Sequence, residues 1–207
     1  MPHRILIIAC GALAREITAL KRANGWTDVD VQCLPPELHN RPERIVPAVR
    51  EQISAQRSRY DTIFVAYADC GTGGMLDVLL REEGIERLPG AHCYEFFAGA
   101  AVFDQLQNAE PGTFYLTDFL LRHFDRLVTR GLGLDRHPEL ALEYFRNYRK
   151  VVYLAQSPTP NDVEQARQIA HGMGLEFESR VTGYGELGSR LGALLASASR
   201  EEPQWPH

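Results

Sequence analysis

Short apolar runs alternate with segments of helical periodicity along most of the chain. The apolar runs are rich in β-branched and aromatic residues, and several stop at Gly or Pro, which is typical of buried strands. They predict strands at 4–10, 29–34, 61–67, 113–117, 150–156 and 175–181, and one further short strand within 85–93. The segments between them, from "ALAREITALKRA" (12–23) to "ELGSRLGALLAS" (186–197), predict helices.

This alternation of strands and helices favours one fold class. Parallel strands need a helical crossover between them, and strands that are buried on both faces have continuous apolar runs. The sequence therefore predicts an α/β fold with a doubly wound, mostly parallel sheet and helices on both faces, similar to a Rossmann fold.

The domain organisation follows from length and composition. A chain of 207 residues, 44% of them hydrophobic, is long enough to bury one sizeable core. We expect a single α/β domain over 4–198, with "NAEPGT" (108–113) as the candidate subdomain boundary and a frayed tail at 199–207.

Composition argues against two classes of partner. A formal net charge of −5 without a dense Lys/Arg cluster gives no electrostatic footprint for nucleic acid. The run "ILIIAC" (5–10) is too short to span a bilayer and lacks a signal-peptide cleavage region, so we expect a cytoplasmic protein that does not bind membranes. In that compartment, the four cysteines are expected to be reduced thiols, ligands or nucleophiles rather than disulfides.

Reactive side chains follow the strands of the predicted sheet. Cys10 ends the first strand and His39 lies in the loop after the second. Cys70 follows the third strand, and His92 and Cys93 follow the fourth. Because the carboxyl ends of parallel strands meet at one edge, where α/β sheets bind ligands, we expect these side chains to converge.

Glycines accompany the thiols. Gly11 follows Cys10, whereas Gly71 and Gly73 follow Cys70. Glycine allows backbone to approach a ligand closely, and amides near a sulfur lower its pKa, so these glycines are candidate ligand-binding positions. The competing interpretation is that each cysteine is a buried, inert thiol.

Two chemistries fit such a cluster. In the first, a metal ion is bound by three ligands from the set Cys10, Cys70, Cys93 and His39. These are either the three thiolates or two of them with a histidine, for which His92 is the alternative to His39. Zinc is the expected metal, and iron or an iron–sulfur cluster is the alternative. Three protein ligands would leave one position open, as in catalytic zinc sites.

In the second chemistry, Cys70 is a nucleophile, the amides of "GTGG" (71–74) form an oxyanion hole and a histidine is the base. We prefer the metal, because the nucleophile leaves the other two thiols without a role. Glu95, two residues after Cys93, is the candidate general acid or base. Its alternative role is to complement the dipole of the helix that begins there.

Several motifs in order resemble those of the domain of unknown function 1638 family (DUF1638): "ACGAL", "LPPELHN", "YADCGTGG", "HCYEFFAG", "GTFYLTDFLLRHFD", "GLGLDRHPEL" and "YFRNYRKVVYLAQ". The resemblance extends over nearly the whole chain and leaves Cys33 outside every motif. It implies that the matched polar positions belong to the site: Cys10, His39, Cys70, Cys93 and Glu95. Members are often encoded beside corrinoid proteins and cobalamin-dependent methyltransferases, which implies a role in methyl or one-carbon metabolism.

These expectations describe an enzyme or a metal-dependent accessory factor of corrinoid-linked methyl or one-carbon metabolism. Its substrate is a small molecule, its expected partner is a corrinoid protein or a methyltransferase, and corrinoid is supplied only through that partner. Two alternatives stay open: a metal-free module with structural thiols that binds a small ligand or a partner, and a cysteine-nucleophile hydrolase. Oligomer formation is open as well.

Overall fold

The computed structural model describes residues 3–198 of the chain. The predicted frayed tail at 199–207 lies outside the described residues. Within that range the strands fall where the apolar runs predict them: β1 (Ile5–Cys10), β2 (Val29–Leu34), β3 (Thr62–Ala66), β4 (Glu86–Arg87), β5 (Thr113–Thr117), β6 (Lys150–Ala155) and β7 (Glu176–Val181).

The helices occupy the segments between these strands. They are α1 (Ala14–Ala23), α2 (Ile45–Gln56), α3 (Met75–Glu83), α4 (Cys93–Ala98), α5 (Ala100–Ala109), α6 (Asp118–Arg122), α7 (Leu140–Phe145), α8 (Pro160–Gly172) and α9 (Leu187–Ala198). Short 3-10 segments lie at Gly11–Leu13, Pro36–Asn40, Pro42–Arg44 and Arg57–Arg59, and a π-helical turn lies at Asp125–Thr129. None of the helices within residues 3–198 has the length and apolar character that crossing a membrane requires.

The helix expected at 94–107 is interrupted. Gly99 separates α4 from α5 with φ at 78°, a left-handed conformation that favours glycine. The amide of Glu186 donates to the carbonyl of Phe96 at 2.8 Å, which uses an acceptor near the end of α4. The periodicity of the two short helices is continuous in the sequence, so it conceals the break.

The chain forms two compact units. The first contains the described residues 3–93 and 187–198, and the second contains 94–186. The first sheet has the order β2-β1-β3-β4 and the second β5-β6-β7, and every strand pair is parallel. The parallel α/β fold is therefore confirmed, with its strands divided between two sheets. That both units form a single domain stays a prediction, and the segment 108–113 lies within the second unit.

The first sheet is built around β1. All residues of β1 are buried, and it pairs with β2 on one side and with β3 on the other. Two helices of this unit contribute buried residues spaced four apart, the spacing that keeps side chains on one helix face: Ile45, Val49 and Ile53 on α2, and Leu187, Leu191 and Leu195 on α9.

Helix α9 follows the second unit in the sequence but belongs to the first. A Cβ atom on Gly188 would lie 3.0 Å from a methyl carbon of Leu20, so the absence of a side chain allows close packing on α1. The guanidinium of Arg190 donates to the carbonyl of Pro89 at 2.8 Å.

The second sheet is covered by helices on both faces. Alternate residues of β6 point to opposite sides, as the strand period of two requires. One face packs Tyr153 with residues of α6 and α8, including Ala166. The opposite face packs Val152 with Phe103 on α5.

A buried carboxylate joins β5 to β6 in the second unit. Asp118 is 4% exposed and accepts hydrogen bonds from the hydroxyl of Tyr153 at 2.7 Å and from the amides of Gln156 and Ser157 at 3.1 and 2.8 Å. Its own amide donates to the side-chain carbonyl of Gln156 at 2.9 Å. Because buried polar groups stabilise a fold only when they are paired, this network fixes the carboxyl ends of both strands.

We expect Asp118→Ala to destabilise the protein by about 3 kcal/mol, since it leaves several buried donors without an acceptor. Urea unfolding monitored by circular dichroism measures the change. Asp125→Ala is the matched control, because Asp125 pairs with Arg130 at the exposed surface, where an ion pair contributes about 0.5 kcal/mol. Equal destabilisation by the two variants would contradict the structural role of Asp118.

Candidate functional site

Two cysteines of the first unit are in direct contact. The Sγ atoms of Cys70 and Cys93 lie 3.4 Å apart. Backbone hydrogen bonds bring them there: the amide of Asp69 donates to the carbonyl of Gly90 at 3.0 Å, and the amide of Cys70 donates to that of Ala91 at 2.9 Å. These bonds join the loop that follows β3 to the loop that follows β4. The convergence of Cys70 and Cys93 expected from the sequence is therefore present.

The contact separates the proton affinities of the two thiols. The thiol of Cys93 donates a hydrogen bond to Cys70 and lowers the pKa of Cys70 to about 5, against the opposing effect of burial. The same contact, together with burial, raises the pKa of Cys93 well above its ordinary value. Cys93 is half-buried by surface area, but protein atoms surround it densely, so burial adds to the effect of the contact with Cys70 on its pKa. The contact therefore favours the thiolate form of Cys70 and the protonated form of Cys93.

His39 assists this charge separation from outside the sheet. It lies in the 3-10 turn Pro36–Asn40 and its side chain is exposed. Its hydrogen bond and its electrostatic interaction with Cys70 both contribute to the low pKa of Cys70. His92, the alternative histidine, lies half-buried in the loop before Cys93, and its role as a ligand stays a prediction.

Two neutral groups border the thiolate. Burial raises the pKa of Cys10 to about 12, partly offset by a hydrogen bond from the backbone of Ala12, and the charge of Cys70 raises it further. Burial also raises the pKa of Tyr67, and its interactions with Cys10, Cys93 and Cys70 raise that pKa further. Within residues 3–198, no atom lies in hydrogen-bonding position to the buried hydroxyl of Tyr67. The Cys10 thiol nevertheless interacts with this hydroxyl electrostatically. Both side chains therefore remain protonated beside Cys70.

The backbone at Cys70 is strained. With φ at 48°, it is the single residue other than glycine within 3–198 that has a positive φ. Such a conformation costs about 1–2 kcal/mol for a residue with a Cβ atom. The chain turns sharply here, and Gly71, with φ at 84°, continues the turn. The turn directs the Cys70 side chain to a position from which its sulfur contacts Cys93.

Asp69 holds the turn together. Its carboxylate accepts hydrogen bonds from the hydroxyl of Thr72 at 2.6 Å and from the amides of Gly73 and Gly74 at 3.1 and 2.8 Å. It thereby satisfies backbone donors just before α3, the role that a capping side chain has. An oxyanion hole made from these two amides would have to displace Asp69.

The other two candidate ligand-binding glycines are sites of close packing. A Cβ atom on Gly11 would lie 2.9 Å from the carbonyl oxygen of Leu34, at the end of β2. On Gly71 it would lie 3.3 Å from the ring of Pro42. A role in ligand binding for Gly11, Gly71 and Gly73 stays a prediction.

Arg87 fixes the loop that leads to Cys93. Its guanidinium binds both carboxylate oxygens of Asp77 on α3, at 2.5 and 2.9 Å, and donates to the carbonyls of Leu88 and Gly90 at 2.8 and 3.3 Å. Gly90 also accepts from the amide of Asp69, so Arg87 supports one of the hydrogen bonds that align the two cysteines.

Sequence reasoning missed three contributors to the site: Asp69, Tyr67 and Arg87. An Asp that shortly precedes glycines and the start of a helix is a recognisable capping signal, so the role of Asp69 could have been predicted from the sequence. Tyr67 is concealed within an apolar strand pattern, and no local pattern distinguishes Arg87 from other charged residues.

The predicted metal ligands approach one another without forming a ligand set. Cys10, Cys70, Cys93 and His39 interact electrostatically in the first unit. Within residues 3–198, however, no three or more His, Cys, Asp or Glu side chains are placed so that they could hold a metal ion. Glu95 lies in the second unit, half-buried in the first turn of α4, and its acid–base role stays a prediction.

The carboxylate of Asp69 makes the stability of the first unit depend on pH. Burial raises the pKa of Asp69, but the hydrogen bonds from Thr72, Gly74 and Gly73 outweigh burial and leave it below its ordinary value. A lowered folded-state pKa gives stability that is present above the unfolded pKa, about 3.9, and is lost as pH falls through the folded value.

We therefore expect Asp69→Asn to be less stable than the natural protein at pH 7, with a difference that shrinks as pH falls below about 4. Denaturant unfolding between pH 3 and pH 7 measures it. Asp104→Asn, at an exposed position on α5, is the control and should leave stability unchanged at pH 7. A difference for Asp69→Asn that is constant across this range would contradict the role of its charge.

Comparison with known proteins gives a family but no activity. A search of curated proteins found no match. The model of a family described as a protein of unknown function (DUF1638) matches residues 33–191. The matched segment includes His39, Cys70 and Cys93, whereas Cys10 and Gly11 precede it. Because the match covers most of the chain, this protein belongs to the DUF1638 family.

Proposed function

We propose that the first unit is a cysteine-dependent group-transfer site in which the thiolate of Cys70 is the nucleophile. The observation that carries the proposal is the 3.4 Å contact between the sulfurs of Cys70 and Cys93. This contact lowers the pKa of Cys70 and raises the pKa of Cys93. Thiolates are the reactive form of cysteine, and a thiolate present at neutral pH needs no base to generate it.

Cys93 has a defined role in this chemistry. While Cys70 is charged, the Cys93 thiol stabilises it by a hydrogen bond. When the sulfur of Cys70 bonds to an electrophilic carbon, it loses its negative charge. The interaction with Cys70 that raises the pKa of Cys93 is then weaker, so the pKa of Cys93 falls. Cys93 then becomes a better proton donor, and its proton is available to the departing group.

The turn geometry favours alkyl over acyl substrates. Acyl transfer develops an oxyanion that needs preorganised donors, and the amides of Gly73 and Gly74 already donate to Asp69. Displacement at an alkyl carbon forms no oxyanion. We therefore favour transfer of a small alkyl group, such as methyl, to Cys70 over the cysteine-hydrolase alternative.

The cellular setting of this proposal rests on the family resemblance and on composition. We propose a cytoplasmic protein in which methyl groups arrive through a corrinoid protein or a methyltransferase as partner. Reducing conditions in that compartment keep the two thiols available.

We expect iodoacetamide to alkylate one thiol much faster than the other three, with a rate that rises through a midpoint near pH 5. Cys70→Ser removes the fast reaction, and Cys93→Ala moves the midpoint towards the ordinary cysteine value of about 8.5. Cys33→Ser is the control and leaves both rate and midpoint unchanged. Mass spectrometry of alkylated peptides identifies the reacting thiol, and the ultraviolet absorbance of the thiolate reports its titration independently of reagent access.

Equal, slow labelling of all four cysteines, with no thiolate absorbance near neutral pH, would overturn the proposal. The metal-free binding module with structural thiols would then be the better interpretation.

A second candidate function is a soft-metal site formed by Cys10, Cys70, Cys93 and His39. The observation that favours it is the electrostatic coupling of the three thiols and the histidine. Because these side chains are not placed as a ligand set, binding would require them to rotate. Zinc, or iron as the alternative, would then stabilise a bound thiolate substrate.

Metal content separates this candidate from the metal-free thiolate. If the site binds metal, protein purified without a histidine tag contains close to one equivalent by mass spectrometry, and Cys10→Ser and Cys70→Ser each lose most of it. His137→Ala, an exposed histidine of the second unit, serves as the control and retains it. Near-zero metal that is the same in all variants counts against this candidate.

A further inference from the structure

The contact between Cys70 and Cys93 has the geometry of a disulfide precursor. The two sulfurs are 3.4 Å apart although the residues are 23 positions apart in the sequence. A disulfide requires sulfurs about 2.05 Å apart, so a change of about 1.4 Å would close the bond. The residues adjoining each cysteine are aligned by the hydrogen bonds from Asp69 to Gly90 and from Cys70 to Ala91. The closing movement therefore falls mainly on side-chain rotation.

Two other cysteines of the first unit are less suited as partners. Cys10 ends β1, the buried central strand, which is paired on both sides. Cys33 lies on β2, where it is in register with Ala9 of β1. Moving either sulfur towards Cys70 would disturb the sheet, whereas Cys93 begins a helix at the end of a loop.

We propose that Cys70 and Cys93 form a reversible intramolecular disulfide when the protein is exposed to a peroxide. The inference rests on the proposed nucleophilic thiolate at Cys70 and adds a covalent modification of the same site. Cys70 is 4% exposed, which favours a small oxidant such as hydrogen peroxide over a bulky protein disulfide.

The reaction proceeds in two balanced steps. The Cys70 thiolate attacks one oxygen of hydrogen peroxide, the O–O bond breaks and hydroxide leaves, so that Cys70 is oxidised to a sulfenic acid and the peroxide is reduced. The sulfur of Cys93 then attacks the sulfur of Cys70, the S–O bond breaks, and the departing hydroxide takes the Cys93 proton and leaves as water. A dithiol such as dithiothreitol reduces the Cys70–Cys93 disulfide back to two thiols by thiol–disulfide exchange.

The disulfide removes the nucleophile and also protects it. While the bond exists, Cys70 cannot accept an alkyl group, so oxidation switches off the proposed transfer. Rapid attack by Cys93 also prevents further oxidation of Cys70 to the irreversible sulfinic acid. Cys93 is thus the resolving cysteine of the pair.

The test uses the full chain, reduced and then treated with hydrogen peroxide. Trypsin places the four cysteines on separate peptides, 5–15, 23–44, 60–81 and 88–122, so mass spectrometry after blocking free thiols identifies any linkage directly. We expect a 60–81 to 88–122 linkage within one chain, loss of two of the four titratable thiols, and recovery of both with dithiothreitol. A linkage between other cysteines or between two chains, or overoxidised Cys70 without linkage, would overturn the inference.

Variants assign the order of the steps. Cys93→Ser is expected to abolish the linkage and to accumulate sulfenic acid at Cys70, which dimedone traps. Cys10→Ser and Cys33→Ser are controls that retain the linkage, and circular dichroism checks that each variant is folded. Loss of the linkage in folded Cys10→Ser would instead identify Cys10 as the resolving residue and contradict the inference.

The outcome is separable from that of the proposed function. If Cys70 is alkylated fast but peroxide produces no linkage, the proposal that Cys70 is a nucleophile stands and the inferred disulfide is wrong. If peroxide produces the linkage but Cys70 is alkylated as slowly as the other thiols, the inferred disulfide stands and the proposed nucleophile is wrong.

Discussion

Two backbone hydrogen bonds beyond the ends of β3 and β4 determine the chemistry of the first unit. They join Asp69 to Gly90 and Cys70 to Ala91, and so connect two loops that would otherwise be independent. The strand β4 has only two residues, so these two bonds are a large part of what aligns the two segments. Arg87 and Asp69 support it from opposite sides, one through the loop before Cys93 and the other through the turn after Cys70. The contact between the two sulfurs follows from that alignment.

A buried thiolate is stable only if interactions with its neighbours offset the loss of hydration. Here these interactions come from side chains that bind an anion only moderately strongly. Burial alone would favour the neutral thiol, as it does for Cys10, where the pKa is raised to about 12. Cys70 differs because a thiol donor and an imidazole both face it, so the ion is stabilised without a buried ammonium or guanidinium. The carboxylate of Asp69 is adjacent in sequence, yet its hydrogen bonds are directed at Thr72 and the following amides. Preorganisation of the turn and stabilisation of the charge are therefore performed by different residues.

The parts of this structure that repeat along the chain were predictable, and the parts set by single contacts were not. Continuous apolar runs located β1, β3 and β6, because a strand buried in a parallel sheet largely excludes polar residues. The strands β4 and β7 contain charged residues and lack such a run. The strand ends then indicated that Cys70 and Cys93 would meet. Which strands share a sheet depends on long-range pairing, so division into two sheets was missed. The break at Gly99 and the capping by Asp69 depend on single backbone geometries, and a ligand set depends on side-chain positions that no spacing in the sequence records.

Helix α9 has a consequence for the way the chain is made. It supplies Leu187, Leu191 and Leu195 to the first unit, whose other residues all precede position 94. During synthesis the second unit, 94–186, is therefore complete before the first unit can bury its last apolar side chains. Until α9 emerges from the ribosome, the nascent first unit exposes the surface that this helix will cover. The cysteine pair is thus assembled on a scaffold that closes only after the second unit has been synthesised.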